Sequence, residues 1–93
     1  MNNASVNIEV FCAPNCDRCE SAVKSLKDTI RMIDASSVVW RKVNIVDEFD
    51  YAVELGLRAT PAIVINGKLM FTGKPDQKTL VETIATMITS VNK

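Results

Sequence analysis

The sequence predicts an α/β fold: a four-stranded mixed sheet in β-α-β-α-β-β-α order with helices on both faces. Three observations carry that expectation. Apolar periodicity switches repeatedly between the strand period of two and the helix period of ~3.6 residues. An Asn66-Gly67 pair separates two short apolar runs. The chain has 93 residues, of which 47% are apolar, enough to fill a core and to argue against disorder.

The elements follow in order. Val6 to Phe11 alternates, with Val6, Ile8 and Val10 to one side and Asn7 and Glu9 to the other, as in a strand. From about Cys16 to Ile33 the period lengthens. Cys19, Ala22, Val23, Leu26, Ile30 and Ile33 form one helical stripe, and Arg18, Lys24, Lys27, Asp28 and Arg31 form the opposite face. Val38 to Ile45 returns to β-rich residues. Asp47 is placed to cap a short helix through Ala52 and Leu55, with Gly56 suited to its left-handed end. Ala62 to Ile65 and Leu69 to Thr72 flank Asn66-Gly67, the pair best fitted to a two-residue type I′ hairpin. Asp76 then caps a last helix that carries Leu80, Val81, Ile84, Met87, Ile88 and Val91 inward. The first βαβ unit requires a parallel, right-handed crossover, whereas the Asn66-Gly67 hairpin requires an antiparallel pair. Residues 1–93 are expected to form one domain that hides roughly 60–65% of its unfolded surface.

Composition excludes several functions. Eleven basic and 11 acidic residues cancel, which argues against nucleic acid or an anionic membrane as partner. The longest unbroken apolar run is strand-sized, far short of the ~20 residues of a membrane span. Met1-Asn2-Asn3-Ala4-Ser5 has neither the positive nor the apolar stretch of a signal peptide, so the expected location is cytoplasmic. With no histidine in the chain, Ser-His-Asp and Cys-His nucleophiles, Cys/His zinc fingers and imidazole bases are all excluded. The three cysteines, Cys12, Cys16 and Cys19, fall within eight positions of one another. A disulfide framework would spread an even number along the chain, so the cluster reads as a site.

Cys16-Asp17-Arg18-Cys19 lies where the first strand ends and the first helix begins. Unpaired backbone N–H groups and the positive end of the helix dipole favour a thiolate there. The inward stripe includes Cys19 and leaves Cys16 at the solvent-facing tip. Cys16 is therefore expected to attack a substrate disulfide and Cys19 to resolve the mixed disulfide. Arg18 supports the thiolate, while Asp17 and Glu20 oppose it.

At these residues a family resemblance enters. Phe11-Cys12-Ala13-Pro14-Asn15-Cys16-Asp17-Arg18-Cys19 resembles the F-x-A-x-x-C-x-x-C segment of thioredoxins. Lys42-Val43-Asn44-Ile45, Leu55-Gly56-Leu57-Arg58-Ala59-Thr60-Pro61-Ala62, Asn66-Gly67-Lys68 and Gly73 continue the match from Val6 to Met87. The length is similar to that of the small thioredoxin/glutaredoxin-like redox-active disulfide proteins. The resemblance implies the thioredoxin fold and a thiol–disulfide oxidoreductase that carries electrons to protein disulfides through Cys16 and Cys19, with no cofactor and no metal. It implies a cis bond before Pro61, with that proline against the cysteine pair and the Thr60 backbone facing outward to pair with a substrate peptide. It also implies a separate reductase, thioredoxin-reductase-like or ferredoxin-linked, as electron source.

The sequence departs from the family pattern in several places. Val10 stands where thioredoxins bury an aspartate, Asn15 where they place an aromatic residue, and Asp17-Arg18 where they place Gly-Pro. Lys42 matches a lysine that normally accompanies that aspartate. Trp40 is expected in the core. One alternative is a glutaredoxin-like protein coupled to glutathione, although Lys74-Pro75 interrupt the G-G-x-D loop and C-P-[YF]-C is missing. Another is a non-catalytic binding or metal module on the same fold. Cys12 is expected to pack as a small apolar residue; a role as alternative disulfide partner for Cys16, or as a ligand in a cluster shared by two chains, stands beside that reading. Met32, Met70 and Met87 are expected to fill the core.

Overall fold

The computed structural model describes residues 6–33, 38–73 and 75–91, with side chains through residue 88. Its elements are β1 (Val6–Cys12), α1 (Asp17–Met32), β2 (Val38–Asn44), α2 (Phe49–Leu55), β3 (Ala62–Ile65), β4 (Lys68–Thr72) and α3 (Gln77–Val91). The four strands form one sheet in the order β2-β1-β3-β4. β1 runs parallel to β2 from Val6↔Val38 to Cys12↔Asn44, and antiparallel to β3 from Ile8↔Ile65 to Phe11↔Ala62. The expected mixed sheet is therefore present. Its two inner strands are nearly all buried because both faces are covered.

The alternation along β1 sorts its residues between two cores. Val6, Ile8, Val10 and Cys12 join Cys19 and Leu26 of α1, Ile63 and Ile65 of β3, and Leu80 and Ile84 of α3. Phe11 points the other way and packs with Val43, Ala52, Ala62 and Val64 beneath α2. Met87, Ile88 and Trp40 pack against the first core as expected; the Val91 side chain lies outside the described residues.

Turn chemistry sets the connections. Asn66 and Gly67 take φ values of 52° and 80°, both positive as a type I′ turn requires. Asn66 also accepts the Asn7 N–H on Oδ1 at 2.9 Å and donates its own N–H to the Asn7 carbonyl at 2.8 Å, which ties the hairpin to β1. Gly56 ends α2 at φ 84° in the left-handed region. Asp76 accepts the Thr79 N–H at 3.3 Å and so caps α3.

Two expectations need correction. Asp47 does not cap α2, which starts after Glu48 and has no side-chain cap. Asn44 starts a turn first: its Oδ1 accepts the Val46 N–H at 2.8 Å, and its carbonyl accepts the N–H groups of Asp47 and Glu48, both at 3.1 Å. Asp47 is held inside that turn. Met32 is 66% exposed rather than a core filler. The buried stripe of α1 runs through Cys19, Ala22, Leu26 and Thr29, and Met32 is the last residue of the helix. Thr29 is buried because its hydroxyl bonds the Ser25 carbonyl at 2.8 Å and accepts a hydrogen bond from Gln77 of α3.

Candidate active site

The site forms at the carboxyl end of β1. Cys12 is the last residue of that strand, and Ala13 to Asn15 turn the chain into α1. Asn15 takes φ 58°, a left-handed conformation that asparagine tolerates better than most side chains. Cys16 occupies the N-cap with an extended backbone and closes no side-chain cap. Its sulfur stands at the helix N-terminus, half-buried, while Cys19 one turn on is only 2% exposed.

The Cys19 thiol donates to Cys16 Sγ at 2.7 Å. The two sulfurs need little rearrangement to bond. Thr60 Oγ1 approaches Cys16 Sγ from the other side at 3.9 Å. Thr60-Pro61 is a cis peptide bond, and Pro61 is buried at the start of β3, as the resemblance implied. The structure thus brings Cys19 and Thr60 to Cys16, with Pro61 next to Thr60 in the chain. Asp17 and Arg18 are both exposed in the first turn of α1.

The surroundings move the two thiols in opposite directions. The Cys16 thiol is lowered from its ordinary 9.0, first by the hydrogen bond from Cys19 and then by the backbone N–H of Cys19, the Thr60 hydroxyl and the backbone N–H of Arg18. Arg18 acts here through its amide, where the charge pattern pointed to its guanidinium. Burial pushes the Cys19 thiol up to about 12, and donation to Cys16 holds its proton further. A depression of about 450 Å³ opens beside the pair, with Cys12, Pro14, Asn15, Glu20 and Lys42 on its walls.

Val10 is fully buried in β1, on the same face as Cys12 and Cys19. No carboxylate stands at that position. Cys12 is only 3% exposed and packs in the core with Cys19, as expected for a small apolar residue; burial raises its thiol, and the neighbouring Cys19 thiol opposes that rise. Spacing along the sequence did not reveal that contact, because it depends on how α1 crosses the end of β1. A second polar group lies on the other face of β1, and the sequence pattern does not announce it. Glu9 Oε2 accepts from Arg41 Nη2 at 2.6 Å and Nε at 3.1 Å, and Glu9 Oε1 accepts from the Tyr51 hydroxyl at 2.6 Å. Among the described residues, no group of three or more Cys, Asp or Glu side chains is arranged to hold a metal ion. None of the described helices is long and apolar enough to cross a membrane.

Comparison with known proteins agrees with this geometry. Residues 6–85 match the thioredoxin domain family. A probable thioredoxin of Methanothermobacter thermautotrophicus is 38% identical over 79 residues, covering 85% of this chain and 92% of that protein. A thioredoxin of Methanocaldococcus jannaschii is 37% identical over 82 residues, covering 87% and 94% respectively. Among solved structures, the germline-specific thioredoxin Deadhead of Drosophila superposes with a TM-score of 0.74 at 19% identity, covering 90% of this chain and 82% of that one. Chloroplastic thioredoxin z gives a TM-score of 0.73 at 20% identity, covering 94% and 80%. These structural matches speak to the fold, and the closer archaeal sequences speak to the activity. The chain belongs to the thioredoxin family and is a thiol–disulfide oxidoreductase.

Proposed function

We propose that Cys16 and Cys19 are the redox pair and that the protein reduces protein disulfides through them, working as a single domain in the cytoplasm. The observation that carries this reading is the opposed state of two touching thiols. Cys16 is accessible and shifted toward the thiolate, and Cys19 is buried and holds its proton. Cys16 attacks one sulfur of the substrate disulfide, and the other sulfur leaves with the electron pair. The Cys19 proton then departs, and Cys19 attacks Cys16 Sγ across the short gap to release the reduced substrate.

The surrounding residues have roles in the same proposal. The Thr60 hydroxyl and the Arg18 amide tune Cys16, and Asp17 sets the local charge at the helix tip. The backbone at Thr60 and Pro61 offers an edge on which an extended substrate segment can pair. A separate reductase restores the dithiol.

The test is turnover of a model protein disulfide with dithiothreitol. Cys16→Ser is expected to fall to the uncatalysed rate, and Cys19→Ser to accumulate the mixed disulfide, seen as a mass adduct on Cys16. Full activity in Cys16→Ser would overturn the assignment. A panel of thioredoxin reductase, ferredoxin-linked reductase and glutathione with its reductase identifies the electron source. Reduction by the glutathione arm alone would move the protein to a glutaredoxin-like role.

A further inference from the structure

Cys12 takes no part in the two-thiol cycle, yet it lies inside the site. It is 3% exposed at the end of β1, next to the 2% exposed Cys19 in one packed cluster, and both line the depression that opens at Cys16. The Cys19 thiol packed in the same cluster opposes the rise that burial imposes on Cys12, whereas Cys16 acts on Cys12 only through charge. Cys19 therefore stands between the other two sulfurs. Exchange along that order passes from an attacking sulfur through a central one to a leaving one.

We propose that Cys12 is a third exchange thiol, which moves the Cys16–Cys19 disulfide inward to Cys12–Cys19 and returns Cys16 as a free thiolate. The inference rests on the assignment of Cys16 and Cys19 as the redox pair. The Cys12 proton passes to water in the depression, and Cys12 Sγ attacks Cys19 Sγ. The Cys12–Cys19 bond forms, the Cys16–Cys19 bond breaks, and its electron pair leaves on Cys16 Sγ. The step is an isomerisation of one disulfide, so it consumes no oxidant or reductant.

The surroundings favour that direction. Lys42 lines the same depression, and its charge favours the Cys12 thiolate against the burial that raises it. Cys16, with the most readily formed thiolate of the three, is the best leaving group. Among the described residues the Cys12 thiol makes one long hydrogen bond, 3.9 Å to the Val10 carbonyl, so little holds it in place. The exchange stores the oxidised state between two buried sulfurs and leaves the accessible thiol open for another attack.

The test uses the full chain. Cys16→Ser is oxidised with diamide, and its free thiols are counted. Loss of both remaining thiols in a monomer supports the exchange thiol. Retention of both thiols, or their loss only into disulfide-linked dimers, overturns it. The oxidised wild type is quenched in acid, denatured and labelled with a maleimide, then reduced and given a second label. Sequencing of the tryptic peptide Met1–Arg18 locates the first label. Label on Cys16 in part of the population, lost in Cys12→Ala, is the expected result; label on Cys12 alone overturns the proposal. Turnover of the model protein disulfide by wild type reads the Cys16/Cys19 assignment separately.

Discussion

β1 supports two side-chain triads three residues apart and on opposite faces of the sheet. At Glu9 a carboxylate meets a guanidinium and a phenol. At Cys12 the strand ends in a depression lined by three thiols. The first set is complementary: every donor has an acceptor, and the phenol and guanidinium both hold their protons more firmly beside the carboxylate. The second set is made of like groups: burial is the main reason that Cys19 and Cys12 hold their protons, while the hydrogen bond from Cys19 favours the thiolate on Cys16. One triad holds β1, β2 and α2 together, and the other is poised to exchange a bond. Complementarity gives stability, and likeness under partial burial gives reactivity.

The largest expected effect tests the asymmetry among the thiols. At pH 8, iodoacetamide is expected to label Cys16 faster than Cys19 by about three decades or more, following the gap between a thiol below 9.0 and one near 12. Trypsin separates the two cysteines at Arg18, so mass spectrometry reads each rate. Equal rates would erase the contrast between the triads.

Next comes Glu9→Ala, which removes the common acceptor of the other triad. We expect a loss of about 1–3 kcal/mol in urea unfolding with disulfide turnover unchanged. A change in turnover would mean that the two faces of β1 communicate.

Alkaline titration probes both triads together. Cys19 and Tyr51 each have a folded-state pKa above the ordinary value. Their contributions are complete below about 9 for the thiol and about 10 for the phenol, because the folded state keeps protons that the unfolded state has lost. Stability of the reduced protein should therefore fall as pH rises from about 9 toward 12. Cys19→Ser and Tyr51→Phe should each flatten part of that slope. The smallest effect is Arg41→Ala: its side chain is 56% exposed, so the change should cost only about 0–1 kcal/mol in the same unfolding assay.

Local chemistry made much of the fold legible. Asn66-Gly67 reads as a hairpin because few other pairs accept two positive φ values, and the α1 stripe reads correctly from Cys19 to Ile33 because its apolar positions repeat at helical spacing. Failures came where a partner distant in sequence, or a nearer competing turn, decided the outcome. Thr29 is buried through Gln77 of α3, 48 residues away. Glu9 takes the face opposite Val6, Ile8 and Val10 as its alternation implies, but its partners Arg41 and Tyr51 are 32 and 42 residues away. Asp47 lost its capping role to Asn44, whose side chain turned the chain first.

At the site, the same division holds. Cys16 and Cys19 share one helix turn and could be read from spacing. The contact between Cys12 and Cys19 depends on the crossing of strand and helix, which spacing does not encode.

The hairpin contains one more detail. Ile63 faces Phe71 and Val64 faces Leu69, so Met70 has no residue opposite it and β4 is irregular there. β4 is also an outer strand of the sheet. A flat strand from another molecule laid along it would find the ladder of donors and acceptors interrupted at its centre. At the opposite edge, β2 carries the exposed, charged Arg41 and Lys42. The sheet is therefore guarded against growing by edge-to-edge aggregation, by geometry on one side and by charge on the other.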